Sequence, residues 1–216
     1  EEYLAELALT PELGALGDSM RYALEGGGKR IRPVICLATA EAAGCEPERA
    51  LPAAAALELV HTFSLVHDDL PALDDDEVRR GRPTVHVEFE EGVAVIAGDA
   101  LLAEAFRLAL SYPTNAVARE LAESALGMIG GQYLDVFSEQ DDRLAVTRLK
   151  TGRLFDAAVG CGLWASGVPG EEQAPWRAFG SELGVLFQLV DDILDGDGLA
   201  RALGPERARA LADEAA

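Results

Sequence analysis

The sequence specifies an all-α fold. Apolar residues recur at helical spacing almost throughout, and no segment sustains the alternation of a strand. Ala, Leu and Glu are abundant while aromatics make up only 6% of the chain, so intrinsic propensity leans towards helix. Several stretches, notably 51–66 and 93–110, are apolar most of the way round. Helices of that kind belong in the middle of a bundle. The expected architecture is one all-α domain, a helical bundle.

Glycine and proline punctuate the helices in order. Helices are expected at 2–9 and 12–25, the second ending at Gly26-Gly27-Gly28. The next spans 30–43 and stops at the Gly44 to Pro47 turn; 48–70 follows, and a loop holds Gly81 to Pro83. Beyond it come 92–110, broken by Tyr112-Pro113, then 115–137 and 141–166, broken by Gly167 to Gly170, and finally 171–195 and 202–215. With no repeat, low-complexity tract or linker, residues 1–216 read as one domain.

At 216 residues the chain can enclose an adequate core. It carries 18 Lys and Arg against 38 Asp and Glu, a net charge of −20. That balance argues against nucleic acid and anionic membranes as partners. Anionic substrates stay possible if metal ions reverse the local sign. Cys36, Cys45 and Cys161 show no pairing pattern, and the first and last lie in apolar helices. Buried free thiols and a reducing cytoplasm are expected. No apolar run is expected to reach the ~20 residues that span a bilayer, and the acidic start "EEYLAELALT" is not signal-like.

Two acidic segments interrupt this apolar chain. In "FQLVDDILD", Asp191 and Asp195 lie four residues apart and therefore on one helix face, with Asp192 beside them and Gln188 a turn earlier. Stacked carboxylates suit a hard divalent cation that takes oxygen ligands. Charge of this sign opposes the macrodipole of a helix C-terminus, so a purely structural role is a poor fit. In "SLVHDDLPALDDDEVRRGRPT", five aspartates fall between Asp68 and Asp76. A straight helix would pair Asp68 with Asp75 rather than Asp74. Pro71 breaks the ladder, so the helix is expected to distort after Asp69 and gather Asp68, Asp69 and Asp74 around one metal cluster.

If the two acidic ends face each other across the bundle, they form a funnel for several Mg²⁺ ions, which bind through a few carboxylates plus substrate phosphates. Cations for the rest of a phosphate site are present in "GGGKRIRP" (Lys29, Arg30, Arg32), "RRGRPT" (Arg79, Arg80, Arg82) and "LKTGRLF" (Lys150, Thr151). In a chain so poor in Lys and Arg, they suit diphosphate clamps.

Taken in order, GGGKRIRP, HTFSLVHDDLPALDDDEVRRGRPT, GDALL, GGQYLDV, KTGRLF and FQLVDDILD resemble the trans (E)-isoprenyl diphosphate synthases, over about Tyr22 to Asp195. The four-residue gap between Asp69 and Asp74 resembles the bacterial and plastid farnesyl or geranylgeranyl type. The resemblance implies a Mg²⁺-dependent prenyltransferase joining isopentenyl diphosphate to an allylic diphosphate, with three Mg²⁺ ions when substrate is bound. Asp68, Asp69, Asp74, Asp191 and Asp195 would hold the metal. Arg79, Lys150, Thr151 and Gln188 would touch the allylic substrate. Lys29, Arg32, His61 and Arg80 would bind isopentenyl diphosphate. His61 precedes Asp68 by almost two turns and so shares its side of the helix; without the resemblance it reads as a core histidine. The catalytic group would be Asp68, Asp69, Asp74, Lys150 and Asp191.

The implied chemistry ionises the allylic C–O bond beside charges that stabilise the leaving diphosphate. The isopentenyl double bond attacks the cation, and the departing diphosphate takes the proton then lost. The fold the resemblance implies is a single-domain antiparallel helical bundle around a central apolar cavity, which keeps water away. Bulk before the first aspartate motif sets product length in such enzymes, which points to Phe63, with Ser64 beside it, and to a C15 farnesyl product; a C20 geranylgeranyl product is the alternative. A homodimer in the cytoplasm is also implied.

From Asp195 onwards the sequence "DGDGLARALGPERARALADEAA" lacks the Gly-Lys loop such proteins carry. Loop residues are therefore expected to be missing near Asp197–Gly198, and the chain to be incomplete at both termini. A class I terpene cyclase or a non-catalytic subunit of a heteromeric synthase are the other readings. The cyclase is opposed by Asp191-Asp192-x-x-Asp195 in place of an Asn/Asp-x-x-Ser/Thr-x-x-x-Glu motif. The subunit is opposed by the intact acidic motifs.

Overall fold

The computed structural model describes residues 1–138 and 142–195, with Gly204, Glu206 and Ala210 beyond; of Arg143, Asp192 and Asp195 it describes the backbone only. Apart from Gly204, Glu206 and Ala210, the expected helix 202–215 lies outside the described residues, as does the expected break near Asp197–Gly198. The helices are α1 (Glu2–Ala5), α2 (Leu16–Glu25), α3 (Ile31–Ala42), α4 (Pro47–Asp68), α5 (Val85–Phe89), α6 (Glu91–Ala109), α7 (Ala116–Phe137), α8 (Arg143–Thr147), α9 (Arg153–Ser166) and α10 (Ala174–Asp195). The all-α expectation holds, with one departure: β1 (Val78–Arg79) and β2 (Arg82–Pro83) pair antiparallel in the loop after the first acidic motif. The helix expected at 2–9 stops after one turn. A 3₁₀ turn at Pro11–Leu13 separates it from α2, because proline suits a helix start and lacks the N–H needed further in.

Helix α4 occupies the centre and packs on α3, α6, α7 and α9. Its buried residues face several ways, among them Leu57, Leu59, Val60, Phe63 and Val66, as a helix apolar all round requires. Contrary to expectation, its length and apolar composition would allow it to cross a bilayer, yet 67% of that window is buried inside the bundle. Burial of this kind is what a core helix shows.

Pro52 sits inside α4 and removes a donor from its ladder. Just there, the Tyr112 hydroxyl donates to the Arg49 carbonyl at 2.8 Å and accepts from the Ala53 N–H at 3.1 Å. It thus bridges the Arg49 carbonyl and the Ala53 N–H, one residue beyond the donor that Pro52 lacks. Cys36, Cys45 and Cys161 are buried free thiols, as expected.

The helix expected at 141–166 is interrupted. Between α8 and α9 the chain forms a π-helical turn, Arg148–Gly152, a wide turn found mostly at functional sites. It carries Lys150 and Thr151. Helix α7 lies directly against it at Gly131, where a Cβ would collide with the Lys150 backbone. Only glycine permits that approach.

Candidate functional site

The chain stops being helical at Asp68, one residue before the expected point, with Asp69 as the cap. The loop then folds back on itself. The Asp74 N–H donates to the Asp68 carbonyl at 2.9 Å, and the Asp75 N–H to that of Leu70 at 3.2 Å. Pro71 forbids continuation of the helix, and these bonds bring Asp74 to the end of α4.

A cavity of about 350 Å³ opens below. Asp68, Lys150, Thr151, Gln188 and Asp191 line it, as do Arg32, His61, Phe63 and Ser64. The two acidic helix ends therefore border one space, and nine of the residues singled out from the sequence meet there. Met128, Ile129 and Leu73 add apolar wall. Phe63 is only 6% exposed, and its ring stands edge-on to His67 at 5.1 Å. The His67 imidazole donates to the Val95 carbonyl at 3.0 Å. Although Phe63 and Asp68 project from different sides of α4, the cavity wraps far enough round the helix to take in both.

Asp69 behaves differently. It is 4% exposed, and its Oδ1 accepts from Arg79 Nε at 2.6 Å, while Arg79 also reaches Asp76 at 3.3 Å. Asp69, Arg79 and Arg80 line a smaller adjoining cavity with Tyr22, Thr62 and Arg82. Asp68, Asp69 and Asp74 do not converge on one point here: the guanidinium ten residues on takes the Asp69 carboxylate, and Asp74 is exposed on its loop. Among the described residues no three His, Cys, Asp or Glu side chains form a ready-made metal cage. The side chain of Asp195, the remaining expected ligand, lies outside the described residues.

The donor set still fits a hard cation. It consists of carboxylate and amide oxygens, and Mg²⁺ takes few protein ligands alongside water and phosphate. Burial pushes the Asp68 carboxyl up to about 6; Lys150 and Arg79 oppose that rise, and Asp74 and Asp69 add to it. Burial likewise raises Asp69, against the pull of Arg79. Such crowding of acidic groups is relieved by a cation between them.

On the other side the charge reverses. Burial, followed by the nearby Arg32, Arg80, Arg30 and Arg79, holds the His61 pKa well below 6.5. Arg32 stacks on Phe155 at 4.8 Å, and its buried Nε has no hydrogen-bond partner among the described residues. Burial lowers its pKa to about 10. Arg30 is committed to the fold: it bonds Glu58 and the Leu24 carbonyl. Arg80 donates to the Gly27 carbonyl and lies so close to Gly28 that a Cβ there would meet its guanidinium. Lys29 is exposed and stands 3.8 Å from Asp191. A neutral imidazole among arginines with unused donors suits a multiply charged anion.

The sequence analysis gave no role to Gln132, Asp135 or His67. Asp135 holds Lys150 Nζ at 2.7 Å. Gln132 lines the cavity, and both its polar atoms are shielded and have no partner among the described residues. The signal for Gln132 and Asp135 lay within GGQYLDV, where they continue the three-residue spacing begun by the preceding Ile129.

A polyprenyl synthetase model matches residues 14–213. The chain is 42% identical to a geranylgeranyl diphosphate synthase of Cyanophora paradoxa over 193 residues, which cover 82% of this chain and 64% of that protein. It is 39% identical to a farnesyl diphosphate synthase of Bacillus subtilis (strain 168) over 205 residues, 88% of this chain and 69% of the other. Among solved structures, a geranyltranstransferase from Thermotoga maritima superposes with a TM-score of 0.86 at 31% identity, covering 99% of this chain and 83% of that one. The chain thus spans about two thirds of the length of these curated relatives. A family match across nearly the whole sequence, joined to a helical bundle with two acidic helix ends on one cavity, leads to one assignment: the chain belongs to the polyprenyl synthetase family.

Proposed function

We propose that this chain carries the active site of a prenyltransferase that condenses isopentenyl diphosphate with the allylic diphosphates dimethylallyl and geranyl diphosphate, giving farnesyl diphosphate (C15). The observation that carries this reading is the division of one cavity. Asp68, Asp191 and Lys150 line one part of it, Arg32 beside the neutral His61 gives it a cationic side, and Phe63, Met128 and Ile129 supply apolar wall. A molecule with a diphosphate head and a hydrocarbon tail has that polarity.

In the proposed reaction Lys150, Thr151, Gln188 and Arg79 hold the allylic diphosphate. Lys29, Arg32, His61 and Arg80 seat isopentenyl diphosphate, with His61 donating a neutral N–H. Mg²⁺, when bound through Asp68, Asp69, Asp74, Asp191 and Asp195, supplies charge neutralisation at the leaving group; Asp69 takes part by exchanging its bond with Arg79. The allylic C–O bond breaks with its electron pair going to diphosphate, and the isopentenyl double bond forms the new C–C bond. The proton lost passes to the departing diphosphate. The apolar walls exclude water from the cation.

Incubation with Mg²⁺, isopentenyl diphosphate and each allylic starter tests the proposal. Elongated diphosphates support it, hydrocarbons indicate a cyclase, and silence until a partner is added indicates a subunit. The buried Phe63 ring supports C15; the similarity to a geranylgeranyl diphosphate synthase supports a C20 product as a second reading. Phe63→Ala is expected to lengthen the products in a radiolabelled elongation assay, and unchanged length would remove Phe63 as the limit.

The same reading includes a homodimer in the cytoplasm. Val95 and Ile96 on α6 and Leu126, Tyr133, Val136 and Phe137 on α7 are exposed apolar residues of a kind that mark association surfaces. Light scattering on the protein and on Leu126→Glu would show a dimer and its loss.

A further inference from the structure

Gln132 is the one cavity-lining residue with both hydrogen-bonding atoms of its side chain shielded from solvent and unpartnered among the described residues. Leaving a buried amide in that state is costly, and such groups in a folded protein call for an explanation. No fold-holding bond of this side chain supplies one, whereas Asp135, one turn on, is engaged with Lys150.

Its position along α7 is informative. One turn before it, Met128 and Ile129 belong to the apolar wall. One turn after it, Asp135 steadies Lys150 at the polar rim. Gln132 therefore stands where the cavity changes from hydrocarbon to phosphate character, level with the bond joining the two halves of the substrate. Gly131 brings this part of α7 hard against the π-helical turn that carries Lys150 and Thr151, so the amide is held by packed backbone rather than by a loop.

We propose that Gln132 is a catalytic residue for the ionisation step, its Oε1 facing the allylic carbon as positive charge develops there. The inference rests on the prenyltransferase reading above. An amide oxygen suits this role because its dipole stabilises a cation in a dry site. It is also a far weaker nucleophile than a carboxylate, so it does not trap the cation. The bond that breaks is the allylic C–O bond, its electron pair leaves on diphosphate, and Gln132 forms no covalent bond.

The test compares wild type with Gln132→Leu and Gln132→Met in two binding measurements and one rate. An ammonium analogue of the allylic cation, titrated calorimetrically with Mg²⁺ and inorganic diphosphate present, is expected to bind the variants about tenfold to a hundredfold more weakly. A thio-diphosphate analogue that does not ionise is expected to change less than about threefold, and kcat to fall with KM nearly constant. Melting temperatures should hold or rise by about 2–4 °C, because an orphaned amide has been removed. Equal loss for both analogues, no loss for the ammonium analogue, or a lower melting temperature in both variants would overturn the assignment. Wild-type protein that fails to elongate any starter would instead overturn the functional reading beneath it. Elongating wild type with unimpaired variants overturns only the role of Gln132.

Discussion

The ends of α4 and α10 both present aspartates to the same cavity, yet they are built differently. At the end of α4 the backbone folds back through the Asp74–Asp68 bond, and Arg79 fixes the buried Asp69 carboxylate. Asp68 is already raised to about 6 by burial. At the end of α10, the Asp191 side chain keeps 42% of its surface and pairs with Lys29, itself 72% exposed, at 3.8 Å. One half of the site is organised by the fold; the other is joined by a weak, solvent-screened pair. Pre-organised charge is the kind that lowers barriers most, because nothing has to be reoriented during reaction.

On that contrast, Asp68→Asn should cost the most, about a thousandfold in kcat, with Asp191→Asn nearer a hundredfold. Steady-state kinetics at saturating Mg²⁺ measures both, and equal losses would break the contrast. Arg79→Ala should come next, destabilising by about 2–3 kcal/mol in urea titrations because Asp69 is left buried and unpaired. That is less than a fully enclosed pair would lose, since Arg79 keeps 31% of its surface. Lys29→Ala, at the other end, should change stability by less than about 0.5 kcal/mol.

A subtler outcome concerns His61, which sees Arg32, Arg80, Arg30 and Arg79, with Glu58 facing the arginines. Its folded pKa lies below 6.5, so an unfolded chain takes up a proton that the folded one refuses. The His61 contribution is therefore intact above about pH 6.5 and is lost as pH falls below it. Urea midpoints at about pH 7.5 and about pH 5.5 should differ less in His61→Gln than in wild type. An unchanged difference would mean that the arginine cluster does not keep this ring neutral.

Helix periodicity and Gly/Pro punctuation located the central helices to within a residue or two, because α4, α6 and α7 are long and bury large apolar surfaces. The two-residue strands β1 and β2 are too short to show alternation. The π turn at Arg148–Gly152 is imposed by packing against α7 at Gly131, which no local propensity encodes. Type and spacing marked Asp68, Lys150, Gln188 and Asp191 as site residues. The diversion of Asp69 escaped notice because it depends on where β1 delivers Arg79, and that path is set by backbone bonds within the loop. Gln132 stayed silent for the opposite reason: its significance lies in bonds it does not make.

The Tyr112 hydroxyl that bridges α4 beside Pro52 also has a bearing on the order of folding. The segment that supplies this hydroxyl is 59 residues away from Ala53 in the chain, beyond the whole of α5 and α6. During synthesis the start of α4 must wait for it, while the apolar stretch after Pro52 can already coil and collapse. Amide-exchange protection at Ala53 should then report the docking of the α6–α7 connection rather than the growth of its own helix.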